Sequence, residues 1–259
     1  MLEVSNLSYA IAGQFILSKV SARFEPGKVS VIIGPNGSGK STLLKIMSGE
    51  IRSYSGTVLY EGKTRVEKDI RDFARIRAVF SQHSELTFPL TVQEVVMMGR
   101  YPHFAHAAGN KDRKIVTDML ELMGVVHLRG RNYLTLSGGE KQKVHFARVL
   151  AQIQGEEMQA VRYLMLDEPI AFMDLNYQHE FLKIARMVAQ ANVVVIAVIH
   201  DLNLALQYAD CVLALHKGQV LIQDIPRKVI TPGLIDTLYQ IKSSVVDHPE
   251  ASYPFLIVK

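Results

Sequence analysis

The stretch Gly34-Pro-Asn-Gly-Ser-Gly-Lys-Ser-Thr42 constrains this chain more than any other. An apolar run, Val29-Ser-Val-Ile-Ile33, precedes it and reads as a buried strand. Leu43-Leu-Lys-Ile-Met47 follows and reads as a helix stopped at Gly49. Strand, glycine loop and helix are the context in which G-x-x-x-x-G-K-S/T becomes a phosphate site. Gly34, Gly37 and Gly39 let the backbone take positive φ and turn its N–H groups toward a polyphosphate. The helix N-terminus adds partial positive charge at the same place. Lys40 can reach the terminal phosphates, and the Ser41 hydroxyl can ligate Mg²⁺. Pro35, Asn36, Ser38 and Thr42 complete the loop. The fold expected around it is α/β.

The chain has 259 residues, nearly half apolar, enough to bury a large core as one α/β domain or two lobes. The longest strongly apolar run, Val193 to Ile199, is too short to span a bilayer. Met1-Leu-Glu-Val shows no charged n-region or apolar h-region, so no secretory signal is expected and the protein is expected to stay in the cytosol. The single cysteine, Cys211, sits in an apolar run and is expected to be a small core residue. A net charge of +4 with no long Lys/Arg run argues against nucleic acid as a partner.

Leu2 to Ala10 and Phe15 to Phe24 alternate apolar and polar residues, the pattern of antiparallel strands. Tyr9 is either a strand aromatic packed on the core or a stacking platform for an adenine ring. Ser55 to Tyr60 and Ala78 to Ser81 read as short strands, the second closed by Gln82. Residues 84–154 turn helical. Thr91-Val-Gln-Glu94 is a capping box, and Lys111 to Met123 is a helix stopped by Gly124. His103 and His106, expected in an exposed loop, have ligand-like spacing but no third ligand nearby. Leu136-Ser-Gly-Gly-Glu140 opens an amphipathic helix through Ala151, with Ser137 and Glu140 as a second capping box. Two glycines in its first turn are either an ordinary cap or a place where an anion approaches the backbone.

Tyr163 to Leu166 is an apolar strand ending in Asp167-Glu168, at the edge of an α/β sheet where ligands bind. Asp167 suits a Mg²⁺ shell, and Glu168 suits activation of a water. Val193 to Ile199 repeats the pattern and ends in His200, a structural histidine or a contact to a γ-phosphate. Two short strands turn at Gly218, and two helices with early prolines follow. Residues 241–259 form a tail without an assigned role.

Taken together, the phosphate loop, Gln82, Leu136 to Glu140, Asp167-Glu168, Asp174 and His200 resemble the ATP-binding subunits of ABC transporters over almost the whole chain. The resemblance implies a P-loop NTPase core with an antiparallel β lobe and an inserted helical lobe. Residues 1–83 and 155–240 would be the nucleotide-binding core and 84–154 the helical subdomain. It implies an ATPase using ATP and Mg²⁺, with Lys40, Gln82, Glu168 and His200 as catalytic residues and Ser41, Gln82 and Asp167 around the metal. Tyr9 would then stack on adenine. Ser137, Gly138, Gly139 and Glu140 would meet the nucleotide of a second copy, and Asp174 would cross that interface. Partners implied are a second identical subunit, a dimeric polytopic permease and a periplasmic substrate-binding protein, at the cytoplasmic face of a bacterial inner membrane. Gly99 to His103 and His200-Asp-Leu-Asn203 resemble the ATPases of importers for iron–siderophore, haem and cobalamin. Arg75 to Gln82, Gly155 to Gln159 and His248-Pro-Glu250 resemble most the haem-import members, with iron–siderophore and cobalamin importers as alternatives. A soluble ABC ATPase for DNA repair, cluster assembly or translation is a competitor of another class. One departure stands out: Ile170 and Ala171 replace two small polar positions usual after Glu-Pro.

Overall fold

The computed structural model describes residues 1–64, 69–81, 86–155, 160–170 and 173–259. Two alternating strands, β1 (Leu2–Ile11) and β2 (Gln14–Phe24), pair antiparallel as their pattern predicts. They are followed by β3 (Val29–Ile33), α1 (Lys40–Met47), β4 (Ser55–Tyr60) and β5 (Lys63–Thr64). Strands β2-β1-β4-β5 form one antiparallel sheet. After α2 (Ile70–Ile76) and β6 (Arg77–Phe80) comes the helical run, α3 (Val92–Met97), a 3₁₀ segment Met98–His103, α4 (Asn110–Leu122) and α5 (Gly138–Ile153). The chain then alternates: β7 (Arg162–Asp167), α6 (Leu175–Gln190), β8 (Val193–Val198), α7 (Leu202–Tyr208), β9 (Cys211–His216) and β10 (Gln219–Asp224). It closes with α8 (Pro226–Val229), α9 (Pro232–Tyr239), β11 (Ser243–Val246) and β12 (Phe255–Val258).

The second sheet has the order β10-β9-β3-β8-β7-β6 and is parallel except at β10. Its central strands are buried on both faces, which is why Val193–Val198 reads as a continuous apolar run and Val29–Ile33 as one broken only by the buried Ser30. Alternate residues serve two different cores. Val29, Val31, Ile33, Val195 and Ala197 pack on the face that also takes α3, α5 and α6. Ile32, Val194, Ile196, Tyr163 and Met165 pack on the opposite face against α1 and the antiparallel sheet. The helical run thus shares one apolar cluster with a face of the main sheet. Arg100 is buried and ties this run together: its Nε donates to Asp112 Oδ1 at 3.0 Å, and its Nη1 donates to the carbonyls of Ala151, at 2.7 Å, and Gln154 at the end of α5. His103 adds a 2.7 Å contact from Nε2 to the Gln152 carbonyl, so it is half-buried and engaged in packing where an exposed loop was expected.

Two further expectations are modified. Cys211 is in a strand, but at its first position, half-buried, with Sγ accepting from Gln223 Nε2 at 3.7 Å. The tail forms an antiparallel hairpin, β11 with β12. Among the described residues no helix is long and apolar enough to cross a membrane.

His145 lies buried in α5, edge-on to Phe80, with Arg148 Nη2 3.2 Å from its Nδ1. Burial, with Arg148 adding to it, lowers its pKa to about 3. The unfolded chain takes up this proton as pH falls through 6.5, and the folded chain does not until far lower, so stability is lost on acidification. By pH 5 the loss attributable to His145 is about 2 kcal/mol. Urea titrations at pH 7 and pH 5 check this: a His145→Gln variant is expected to lose less stability than the wild type between the two.

Candidate functional site

The site is built where the main sheet's parallel strands end. Gly34, Gly37 and Gly39 have φ of 150°, 78° and 100°, as expected. Gly34 admits no side chain: a Cβ there would sit 2.1 Å from the Leu215 carbonyl oxygen. At Gly39 it would meet the Leu17 side chain at 2.7 Å and the Ile16 carbonyl at 3.0 Å, so β2 presses directly on the loop. Helix α1 begins at Gly39 with no side-chain cap and no acid in its first turn. Helices α3, α5, α6 and α7 are all capped by side chains, from Thr91, Ser137, Asp174 and Asp201. The exposed positive end of α1 is thus free to meet an anion. Ser38 supports the same reading. It is 2% exposed, and its Oγ has no hydrogen-bond partner among the described residues. A buried hydroxyl left unpaired is costly unless a ligand takes it.

Lys40 is buried and folded back into its own loop, donating to the carbonyls of Gly34 at 2.8 Å and Pro35 at 3.1 Å. Burial lowers its pKa, against the opposing pull of Glu168 and Asp167. Ser41 Oγ donates to Asp167 Oδ1 at 2.9 Å, joining residues 126 positions apart. Burial raises the Asp167 pKa, which the Ser41 hydrogen bond opposes and Glu168 reinforces. A hydroxyl and a desolvated carboxylate are hard oxygen donors, and a divalent cation would restore the charged form of Asp167, so the pair fits Mg²⁺.

Asp167 ends β7, and its register partner Val198 ends the neighbouring parallel strand β8. That adjacency brings the residues just beyond the two strands together. Glu168 Oε1 lies 2.8 Å from His200 Nε2, both partly exposed. Glu168 holds φ of 48°, a left-handed conformation that costs a residue with a side chain on the order of 1 kcal/mol. The pair borders a cleft of about 200 Å³. Ile170 lines this cleft and is buried in the first apolar cluster, which accounts for its apolar character. Gln82 and Ala171 lie outside the described residues.

The Leu136 to Glu140 element is elsewhere. Ser137 caps α5 in the expected box: its N–H and hydroxyl each donate to Glu140 Oε2 at 2.8 Å. These bonds, the backbone one first, hold the Glu140 carboxyl below its usual pKa. Gly138 faces open space. Ser137, Gly138, Gly139 and Glu140 share a cleft of about 470 Å³ with Asp174, the exposed N-cap of α6. No residue of this cleft lines the clefts beside Glu168 or beside Gly34.

Tyr9 pairs with Leu17 and is half-buried against the second apolar cluster. Two residues that sequence reasoning passed over, Ile11 and Phe15, are exposed at the hairpin tip. A third is Tyr239, whose hydroxyl accepts a hydrogen bond from the Gly34 N–H at 3.1 Å. Nothing local to Tyr239 signals this contact, since the partners are 205 positions apart.

A family model described as ABC transporter matches residues 17–171. A hemin import ATP-binding protein HmuV of Gloeobacter violaceus is 44% identical over 257 residues, covering 99% of this chain and 94% of the relative. The protein of the same name from Deinococcus radiodurans is 43% identical over 256 residues, covering 99% and 96%. Among solved structures, an inward-facing metal-chelate type ABC transporter superposes with a TM-score of 0.83 at 23% identity, covering 100% of this chain and 97% of its own. The ADP conformation of an ATP-binding cassette gives 0.77 at 23% identity, covering 93% and 97%.

Proposed function

The chain belongs to the ABC transporter family, and on that premise we propose that it is the ATP-hydrolysing subunit of a haem importer, working as two identical copies beneath a separate permease. It binds ATP and is an ATPase. In this reading ATP lies along the phosphate loop from Gly34 to Thr42, with Tyr9 at its base. Lys40 turns from the Gly34 and Pro35 carbonyls to the terminal phosphates. Ser41 and Asp167, with Gln82, hold Mg²⁺, which supplies charge neutralisation on the transferring phosphoryl group. Glu168 accepts a proton from the attacking water, and His200 orients Glu168 and senses the γ-phosphate. Ser137 and the Gly138-Gly139 backbone of one copy close over the nucleotide of the other, and Asp174 crosses the interface. Such a two-fold arrangement is self-complementary and closed. Residues 84–154 act as the helical unit through which the motion reaches the permease at the cytoplasmic face of the inner membrane.

What supports the two-copy reading is the separation of the clefts: the capped glycine element and the phosphate loop line no common space within one chain. What supports haem is the hemin import for which the relatives of Gloeobacter violaceus and Deinococcus radiodurans are named. The test is reconstitution with a polytopic permease partner. Vesicles loaded with ATP and supplied with a periplasmic binding protein are expected to take up haem. Uptake of a ferric siderophore or cobalamin in its place would reassign the cargo.

A further inference from the structure

The C-terminal segment touches both walls of the nucleotide site, and no role above uses it. Tyr239 ends α9 with its hydroxyl on the Gly34 N–H. The Gly34 carbonyl accepts from Lys40 Nζ. Both polar groups of the loop's first glycine are therefore held, one by the residue that binds phosphate and one by the C-terminal helix. Gly34, Pro35 and Asn36 face His200, Leu238 and Tyr239 across a cleft of about 310 Å³.

The second attachment runs through Asn203. Its side-chain amide takes both backbone groups of Leu256: Leu256 N–H donates to Oδ1 at 2.8 Å, and Nδ2 donates to the Leu256 carbonyl at 3.2 Å. The backbone N–H of Asn203 in turn donates to the Asp201 cap at 2.8 Å, one residue after His200. The hairpin of β11 and β12 is thus fastened to the helix that starts beside His200, while α9, joined to that hairpin and tied by Lys242 to Asp236 at 2.6 Å, reaches the phosphate loop.

We propose that Tyr239 is a positioning residue for the phosphate loop, and that the C-terminal hairpin, fastened through Asn203, holds Tyr239 in place. Once Lys40 leaves the Gly34 carbonyl for a phosphate, Tyr239 is the tether that keeps Gly34 in register between Leu215 and Ser38. The inference rests on the reading of this loop as the nucleotide site.

The experiment is calorimetric titration of the full-length chain with Mg·ADP and with a non-hydrolysable Mg·ATP analogue, beside steady-state ATPase kinetics and melting of the nucleotide-free protein. Tyr239→Phe keeps the ring and removes one hydrogen bond. Both dissociation constants and KM are expected to rise about two- to tenfold. At saturating ATP kcat stays at the wild-type value, because Glu168 and His200 are untouched, and the melting temperature falls only by the few degrees that one lost hydrogen bond accounts for. Asn203→Ala is expected to raise the same constants by a smaller factor. Wild-type affinity in Tyr239→Phe overturns the positioning role, and so does a joint fall in kcat and melting temperature, which marks a packing group. Wild-type affinity in Asn203→Ala overturns the role of the hairpin. A wild-type chain that binds neither nucleotide removes the nucleotide-site reading and this inference with it; a wild type that binds beside an unaffected Tyr239→Phe removes only the inference.

Discussion

Glu168→Gln is expected to retain ATP binding and to lose hydrolysis by a factor on the order of 10²–10⁴, the usual contribution of a positioned general base. The substitution keeps length and shape. An amide can still hydrogen-bond His200 across the 2.8 Å gap, so the geometry of the two strand ends persists. What disappears is an oxygen able to take a proton from water. The strained φ of Glu168 carries the same message, because a left-handed backbone at a strand end aims this side chain toward His200 and away from the core. Single-turnover hydrolysis, measured after nucleotide is bound, checks the claim directly. Turnover at the wild-type rate would remove Glu168 from the chemistry and shift attention to His200.

Lys40→Ala is expected to weaken nucleotide binding about 10- to 100-fold, the range for charge-assisted hydrogen bonds. Turnover at saturation falls by a further factor of about 10²–10³, because the same ammonium faces charge developing on the transferring phosphoryl group. The lysine is buried, has a lowered pKa and rests on two backbone carbonyls, so its charge is poorly compensated until an anion arrives. Arginine is not expected to rescue the loss: a planar guanidinium does not reproduce the compact ammonium that Lys40 brings to the Gly34 and Pro35 carbonyls. Calorimetric titration with Mg·ADP and steady-state kinetics check both halves, and unchanged affinity would contradict the placement of phosphate on this loop.

The parts of this molecule legible in its sequence are those fixed by local chemistry. Val29–Ile33 and Val193–Val198 announce buried strands because a strand covered on both faces has no polar side to show. The boxes at Thr91 and Ser137 form as spaced, since cap and acid are three residues apart and need no tertiary help. Glu168 and His200 could be placed just beyond strand ends, but their meeting depends on β7 and β8 being neighbours in the sheet, which no local pattern states. The pairing of Ser41 with Asp167 depends on the sheet order that sets β3 and β7 on either side of β8, and that of Tyr239 with Gly34 on where α9 packs. The terminal hairpin has no clear local signal, because Pro249 and Pro254 interrupt the run between its strands; besides its own four paired positions it is held from outside by Asn203. His103 looked like an exposed loop ligand because the α5 carbonyl that engages it lies 49 positions away.

In the proposed mechanism each nucleotide is enclosed by two copies of this chain. Sedimentation of Glu168→Gln protein over a concentration series, with Mg·ATP and with Mg·ADP, tests it most directly. A dimer with ATP, a monomer with ADP, and loss of the ATP dimer when Ser137 is also replaced by a bulky residue are the expected results. A Glu168→Gln protein that binds ATP and stays monomeric at every concentration, with and without its permease, would contradict it.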